Sequence, residues 1–246
     1  MPNLQTKVFR LSMACAAGLM VSGAIAWALP PQQDKAGAAA DRNPVVVELF
    51  QSQGCSSCPP ANAYLNGIAD RPGILALSFA VTYWDRLGWK DTFGSARFTA
   101  RQQDYAAAGQ GEVATPEMIV NGRYAVVGSD ARAFDTAIAR AGAPTGGPDI
   151  TLDGTTVRLA KADAQGVATL WLVRYDPKSR EVPIRAGENS GRTLPHRGIV
   201  RELVKLGAWT GPAAAFALPV SREKGLSAAI LVQRGAGGPI IAARKL

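Results

Sequence analysis

Residues 45–60, VVVELFQSQGCSSCPP, place a β-branched run, a polar loop, a C-x-x-C pair and two prolines in that order. Residues 45–50 are apolar except for Glu48 and are bounded by Pro44 and by Gln51-Ser52-Gln53, a pattern that predicts a short buried strand. Pro59 and Pro60 suit the first turn of a helix, where backbone N–H groups have no intrahelical partner. Ala61, Tyr64, Leu65 and Ile68 then recur at helical spacing, and Arg71-Pro72-Gly73 stops the run. Residues 74–83, ILALSFAVTY, read as a second strand, parallel to the first because a helix separates them. The cysteine pair therefore sits at the strand-to-helix turn of a βαβ unit.

Working outward, residues 84–94 (WDRLGWKDTFG) form an aromatic-rich loop, and residues 95–108 read as a helix capped by Ser95. Thr115-Pro116 precedes two apolar runs, 117–120 and 123–127, separated by Asn121-Gly122, the strongest short-range hairpin signal. Residues 130–141 close this part as a helix, with Ala133, Phe134, Ala137 and Ile138 on one face. After the linker GAPTGGP (142–148), residues 150–159, 167–175, 181–186, 214–220, 226–234 and 239–244 read as strands, interrupted by a helix or turn around 199–206. The expected fold class is α/β, with one domain over 44–142 and a small antiparallel β-sandwich-like domain over 149–246.

At the other end, Lys7 and Arg10 precede an apolar run to Trp27, and Ala26-Trp27-Ala28 offers a small-x-small cleavage pattern. Residues 1–28 are expected to be a signal peptide, the alternative being a retained anchor, and 29–43 a flexible lead-in rich in Pro, Ala and Gln. Periplasmic or secreted localisation follows. Of the 3 cysteines, Cys15 leaves with the leader, so the mature chain carries one C-x-x-C in an oxidising compartment. As a structural staple the pair would be weak: closing a four-residue ring is worth about 2 kcal/mol, against about 4.7 for a hundred-residue loop.

The 246 residues are 47% hydrophobic and 19% charged, which excludes disorder and coiled coil. Net charge is +8, about +6 without Lys7 and Arg10; with export, nucleic acid is not an expected partner, and the charge suits acidic proteins or anionic membrane surfaces.

Strand, C-x-x-C at a helix start, second strand, Thr-Pro entering a hairpin, and a closing helix follow the order of the thioredoxin fold, which the segment 44–142 resembles. More narrowly, VVVELFQSQGCSSCPPANAYL, YWDRLGWKD, FTARQ, TPEMIVNGR and VVGSD resemble the secreted bacterial thioredoxin-like family labelled a domain of unknown function (number 1223). GENSGRTL at 187–194 extends the likeness more weakly. The resemblance implies a cis bond at Thr115-Pro116, with Thr115 presenting its backbone to an extended substrate beside the cysteines. It also implies a role for Glu48 as a buried acid relaying a proton to the resolving cysteine, although Glu48 lies one residue farther upstream than that acid usually does. The other reading of Glu48 is a salt bridge to Lys90 or to an arginine, because a lone carboxylate in a buried strand is costly.

The residues supply a mechanism of their own. At a helix N-terminus, free N–H groups and the positive dipole end favour thiolate over thiol. Cys55 is expected to be the attacking and more exposed sulfur, Cys58, one turn into the helix, the resolving one, and Ser56 and Ser57 donors to the Cys55 sulfur. Trp84, with Tyr83, Trp89 and Phe93, is either core or a platform for extended peptide, and Asp85, Lys90 and Asp91 are expected to fix their loop. His196, the one histidine, is expected to be structural. No cofactor beyond the cysteine pair is expected, although two thiolates with Met118 nearby in sequence would suit Cu(I). Arg185, Arg192, Arg197 and Arg201 are candidate anion contacts for clients or a membrane redox partner. The leading function is a periplasmic thiol–disulfide oxidoreductase acting on protein or peptide clients. The alternative is a Cu(I)-binding or redox-sensing module with little turnover.

Overall fold

The computed structural model describes residues 41–246. The expected signal peptide and residues 29–40 of the lead-in lie outside them. The chain folds as β1 (Val45–Gln51), α1 (Pro59–Ile68), β2 (Ile74–Ala80), α2 (Ala96–Ala107), β3 (Glu117–Val120), β4 (Tyr124–Val127) and α3 (Ala131–Ala141), followed by β5 (Ile150–Asp153), β6 (Thr156–Leu159), β7 (Ala168–Asp176), β8 (Arg180–Pro183), β9 (Thr193–His196), β10 (Ile199–Trp209), β11 (Ala214–Ala217), β12 (Ser227–Arg234) and β13 (Ile240–Lys245). Among the described residues no helix is long and apolar enough to cross a membrane.

The first half forms as its local signals dictate. β1 and β2 pair in parallel over seven residues, from Val45 opposite Ile74 to Gln51 opposite Ala80. Ser95 caps α2 by accepting from the Arg97 N–H, and Asp130 caps α3 by accepting from Arg132 and Ala133. Asn121 and Gly122 both have positive φ, 49° and 60°, as the tight turn between β3 and β4 requires. The Thr115-Pro116 bond is cis.

The second half departs from expectation. Instead of a separate sandwich, four of its strands extend the same sheet, giving eight strands in the order β13-β12-β7-β10-β2-β1-β3-β4. The seam is β10 against β2, where the Ser78 N–H donates to Gly198 O at 2.8 Å and Ile199 sits opposite Ser78. Gly198 has φ +63°, and a side chain there would fall 2.5 Å from Ala76 O, so this approach of two backbones needs glycine. β11-β6-β5 form a small second sheet over the far end, and β8-β9 a separate hairpin.

The sheet is covered on both faces. Val47, Leu49, Met118 and Val120 meet Ala61, Leu65 and Ile68 of α1 and Phe134 and Ile138 of α3. Val46, Phe50, Leu77 and Phe79 meet Phe98 and Tyr105 of α2, and this second core continues without a break into Val173, Leu203 and Leu231.

The residues expected to form a helix or turn around 199–206 are instead part of β10, an eleven-residue strand. Its pairing with β7 shifts register between Val200 and Glu202 and again between Lys205 and Gly207. Each bulge inserts a residue, so buried positions lose their period of two and take on spacing that resembles a helix.

Candidate functional site

Cys55 and Cys58 form a disulfide with their Cα atoms 5.4 Å apart. Cys55 ends a turn in which its N–H donates to Ser52 O, and its carbonyl accepts from the Cys58 N–H. Cys58 is the N-cap of α1 rather than one turn inside it, because Pro59 and Pro60 occupy the first two helical positions. Neither proline carries an N–H, so the first-turn donors open to an anionic sulfur fall to the Ala61 amide and to the loop itself. Both cysteines are wholly buried, which corrects the expectation that Cys55 is the more exposed of the two.

The surroundings of Cys55 come from four parts of the chain. Its Sγ lies 3.8 Å from the carbonyl oxygen of Thr115, and the Ser57 hydroxyl lies 3.3 Å from Sγ and 3.4 Å from that oxygen. Trp84 Nε1 donates to Thr115 Oγ1 at 2.7 Å, so this half-buried indole holds the segment before Pro116 rather than forming part of an open platform. Ser56 turns away from the sulfur. Its N–H and hydroxyl both donate to Glu188 Oε2, at 3.1 and 2.7 Å. Beside it, the fully buried Asn189 donates through Nδ2 to the carbonyls of Gln53 and Cys55, at 2.9 and 2.8 Å.

The aromatic loop fastens the turn from the other side. Asp91 accepts from the Gln53 N–H at 2.7 Å and the Phe93 N–H at 2.9 Å, while Trp89 Nε1 donates to Gln53 Oε1. Asp85 Oδ1 accepts from the Asp91 N–H, whereas Lys90 is exposed. Trp89 and Phe93 also pack on Val182, Ile184 and Leu194, the apolar face of the β8-β9 hairpin. The same hairpin carries Glu188 and Asn189 in the loop at its tip.

Glu48 has other partners than the relay reading requires. Strand pleating puts it with Val46 and Phe50 on the α2 face, opposite the face that receives α1. There it accepts from Arg101 Nε at 2.6 Å, from Arg101 Nη2 at 3.2 Å and from the Tyr105 hydroxyl, so the salt-bridge reading accounts for it and the partner is Arg101. The candidate anion-binding arginines are also largely engaged. Arg192 donates to Asn189 Oδ1, Arg197 grips Asp70 through two nitrogens, and Arg201 pairs with Glu223, while Arg185 is exposed. Met118 is buried in the core shared with α1 and α3. Among the described residues no three His, Cys, Asp or Glu side chains gather as for a metal ion.

Two buried groups near this site titrate in opposite senses. Burial pushes the Asp91 carboxyl up to about 6, partly offset by the N–H groups of Gln53 and Phe93. Burial pushes His196 down to about 4; neither ring nitrogen has a partner, and its ring packs edge-on to Phe93. A raised carboxyl holds its proton more tightly in the folded state, so from Asp91 stability rises as pH falls from about 6 to about 4. The depressed imidazole does the reverse: the unfolded chain takes the proton from pH about 6.5 downward, and stability is lost until about pH 4. Each displacement is worth about 3 kcal/mol at full titration, so the two largely cancel across this window. Urea unfolding across it should show Asp91→Asn losing stability on acidification relative to wild type, and His196→Leu gaining it. Parallel curves for the three proteins would reject both assignments.

Asn189, Glu188, Gln53 and Arg101 went unassigned from sequence. The signal available for the first two was GENSGR, a polar loop between Gly187 and Gly191, both with positive φ.

Comparison with known proteins places these features in a family. In the crystal structure of protein AGR_C_4864 from Agrobacterium tumefaciens, similarity extends over 82% of this chain and 93% of that one, with 30% identity and a TM-score of 0.66. HBP35 of Porphyromonas gingivalis aligns over 83% of this chain and 75% of its own, at 14% identity and a TM-score of 0.48. No curated protein matches. The family described as "Protein of unknown function (DUF1223)" matches residues 46–233, and the chain, with its Cys55–Cys58 turn, belongs to that family.

Proposed function

We propose that this protein is an exported, periplasmic thiol–disulfide oxidoreductase, built on a thioredoxin-like arrangement of β1, α1, β2, β3, β4 and α3, and that it exchanges disulfides with protein or peptide clients. The observation that carries the reading is the Cys55–Cys58 disulfide at the start of α1, with Cys55 Sγ 3.8 Å from the backbone of Thr115. A ring of this size is a weak staple, so reversible chemistry is the better account of the pair.

In the forward step a client thiolate attacks Cys55 Sγ, a new S–S bond forms, and Cys58 leaves as thiolate at the helix N-cap. A second client thiol attacks the mixed disulfide and releases Cys55, so the client loses two electrons and the pair gains them. The reverse sequence reduces a client disulfide. Thr115 and Pro116 would lie beside the reacting sulfur, Ser57 would donate to it, and Trp84 acts by holding Thr115.

Equilibration with glutathione buffers, metal-free and with one equivalent of Cu(I), tests the proposal. The expected result is a two-electron equilibrium between about −120 mV, the range of a disulfide donor, and about −270 mV, that of a reductant. A potential below about −300 mV would make the disulfide structural. Tight Cu(I) binding with negligible exchange would replace this function with copper binding.

A further inference from the structure

The turn that holds the disulfide is hydrogen-bonded to a loop more than 120 residues away in sequence. Residues 184–192 form a compact bend at the tip of the β8-β9 hairpin. The bend is closed by Ile184 N–H to Arg192 O at 2.8 Å and by Gly191 N–H to Ile184 O at 2.9 Å. Asn189 is fully committed: Oδ1 accepts from Arg192, and Nδ2 reaches out of the loop to the carbonyls on either side of Gly54. Gly187 lies against Trp89 and Gly54, where a side chain would be in ordinary contact with both. Glu188 is exposed, and its carboxylate takes both donors of Ser56, the residue next to Cys55; those two bonds hold its pKa below the usual carboxylate value.

We infer that residues 184–192 are a redox-sensitive latch, which closes over the Cys55–Cys58 turn while the pair is oxidised and is released when it is reduced. The inference rests on the redox reading of the pair. Closure follows from Asn189 and Glu188, which bind backbone groups of the turn that any docking chain must approach. Release follows from charge: a Cys55 thiolate puts a negative charge one residue from the Ser56–Glu188 contact, and like charges at that range repel. Gly187 and Gly191, both at positive φ, form the bend that would have to move.

Reduction of the oxidised protein by dithiothreitol reads the latch directly. The first reductant thiolate bonds to Cys55 Sγ and expels Cys58; the second closes the oxidised dithiothreitol ring and frees Cys55. The observed rate scales with the fraction of molecules that are open. Asn189→Ala, which removes two bonds across the contact, is expected to be reduced about tenfold faster or more than wild type. Glu188→Ala, at an exposed position that cannot upset packing, should accelerate it less while melting near the wild-type temperature, which separates release of the latch from the stability that Asn189→Ala loses by leaving the Gln53 and Cys55 carbonyls unpaired. In wild type, amide exchange at 184–192 and at Ser56 should rise on reduction, and Glu188→Gln should blunt that rise. Equal reduction rates for wild type and both variants, or exchange that ignores redox state, would overturn the latch. Loss of the oxidoreductase reading has a different signature: no turnover of client disulfides by any variant, with the difference in reduction rates intact.

Discussion

Cys58→Ser is expected to accumulate mixed disulfides with clients, whereas Cys55→Ser accumulates none and has exchange activity at background. The order follows from position. Cys55 lies against the Thr115 backbone and the Ser57 hydroxyl, where an extended chain and its sulfur would arrive, while Cys58 sits at the helix cap behind Pro59 and Pro60. With Cys58 absent, the bond from Cys55 to a client has no internal thiolate to resolve it and persists. Non-reducing gels and mass spectrometry after incubation with a disulfide-bearing client decide the matter. Equal trapping by both variants, or trapping by Cys55→Ser alone, would reverse or remove the assignment.

Glu48→Gln is expected to cost about 3–5 kcal/mol, because it leaves the Arg101 guanidinium buried without its anionic partner. Arg101 is 4% exposed and Glu48 not at all. Besides Glu48, the guanidinium donates to Gln233 and Tyr105 and lies 5.1 to 5.6 Å from the ring centres of Phe79, Tyr105 and Trp171. One side chain thus ties β1, α2, β7 and β12 across the two halves of the sheet. For a chain of this size each kcal/mol moves the melting temperature about 2–4 °C, so a fall of roughly 6–20 °C is expected. Glu48→Leu combined with Arg101→Met should recover most of it, since removing both charges leaves neither unpaired. The reduction potential of Glu48→Gln should match wild type. A changed pH dependence of exchange with unchanged stability would restore Glu48 as a proton relay.

Much of the first half was legible because its signals are local. The β1–α1–β2 unit, the Ser95 cap and the Asn121-Gly122 hairpin each depend on neighbours within a few residues. The side of the sheet that Glu48 faces was also available from alternation along β1, once Val47 and Leu49 were assigned to the face that receives α1. The second half was legible as strands but not as a sheet. Strand pattern records which faces are buried, not which edge a strand joins. β10 meets the edge of β2 at Gly198, where only glycine lets the two backbones come close enough to pair. β10 was masked by its own bulges.

The sequence by itself determined the local frame of the candidate site: a C-x-x-C at a strand-to-helix turn and prolines that set where the helix begins. Its surroundings were decided in three dimensions. Nothing near Cys55 in the chain announces Asn189 or Glu188, nothing near Glu48 announces Arg101, and nothing in either half announces a shared sheet. Side-chain hydrogen bonds across more than 50 residues leave no periodicity to read, because their partners are matched by the register of distant strands and by burial that excludes water. Local preference shaped the disulfide turn, and long-range packing buried it.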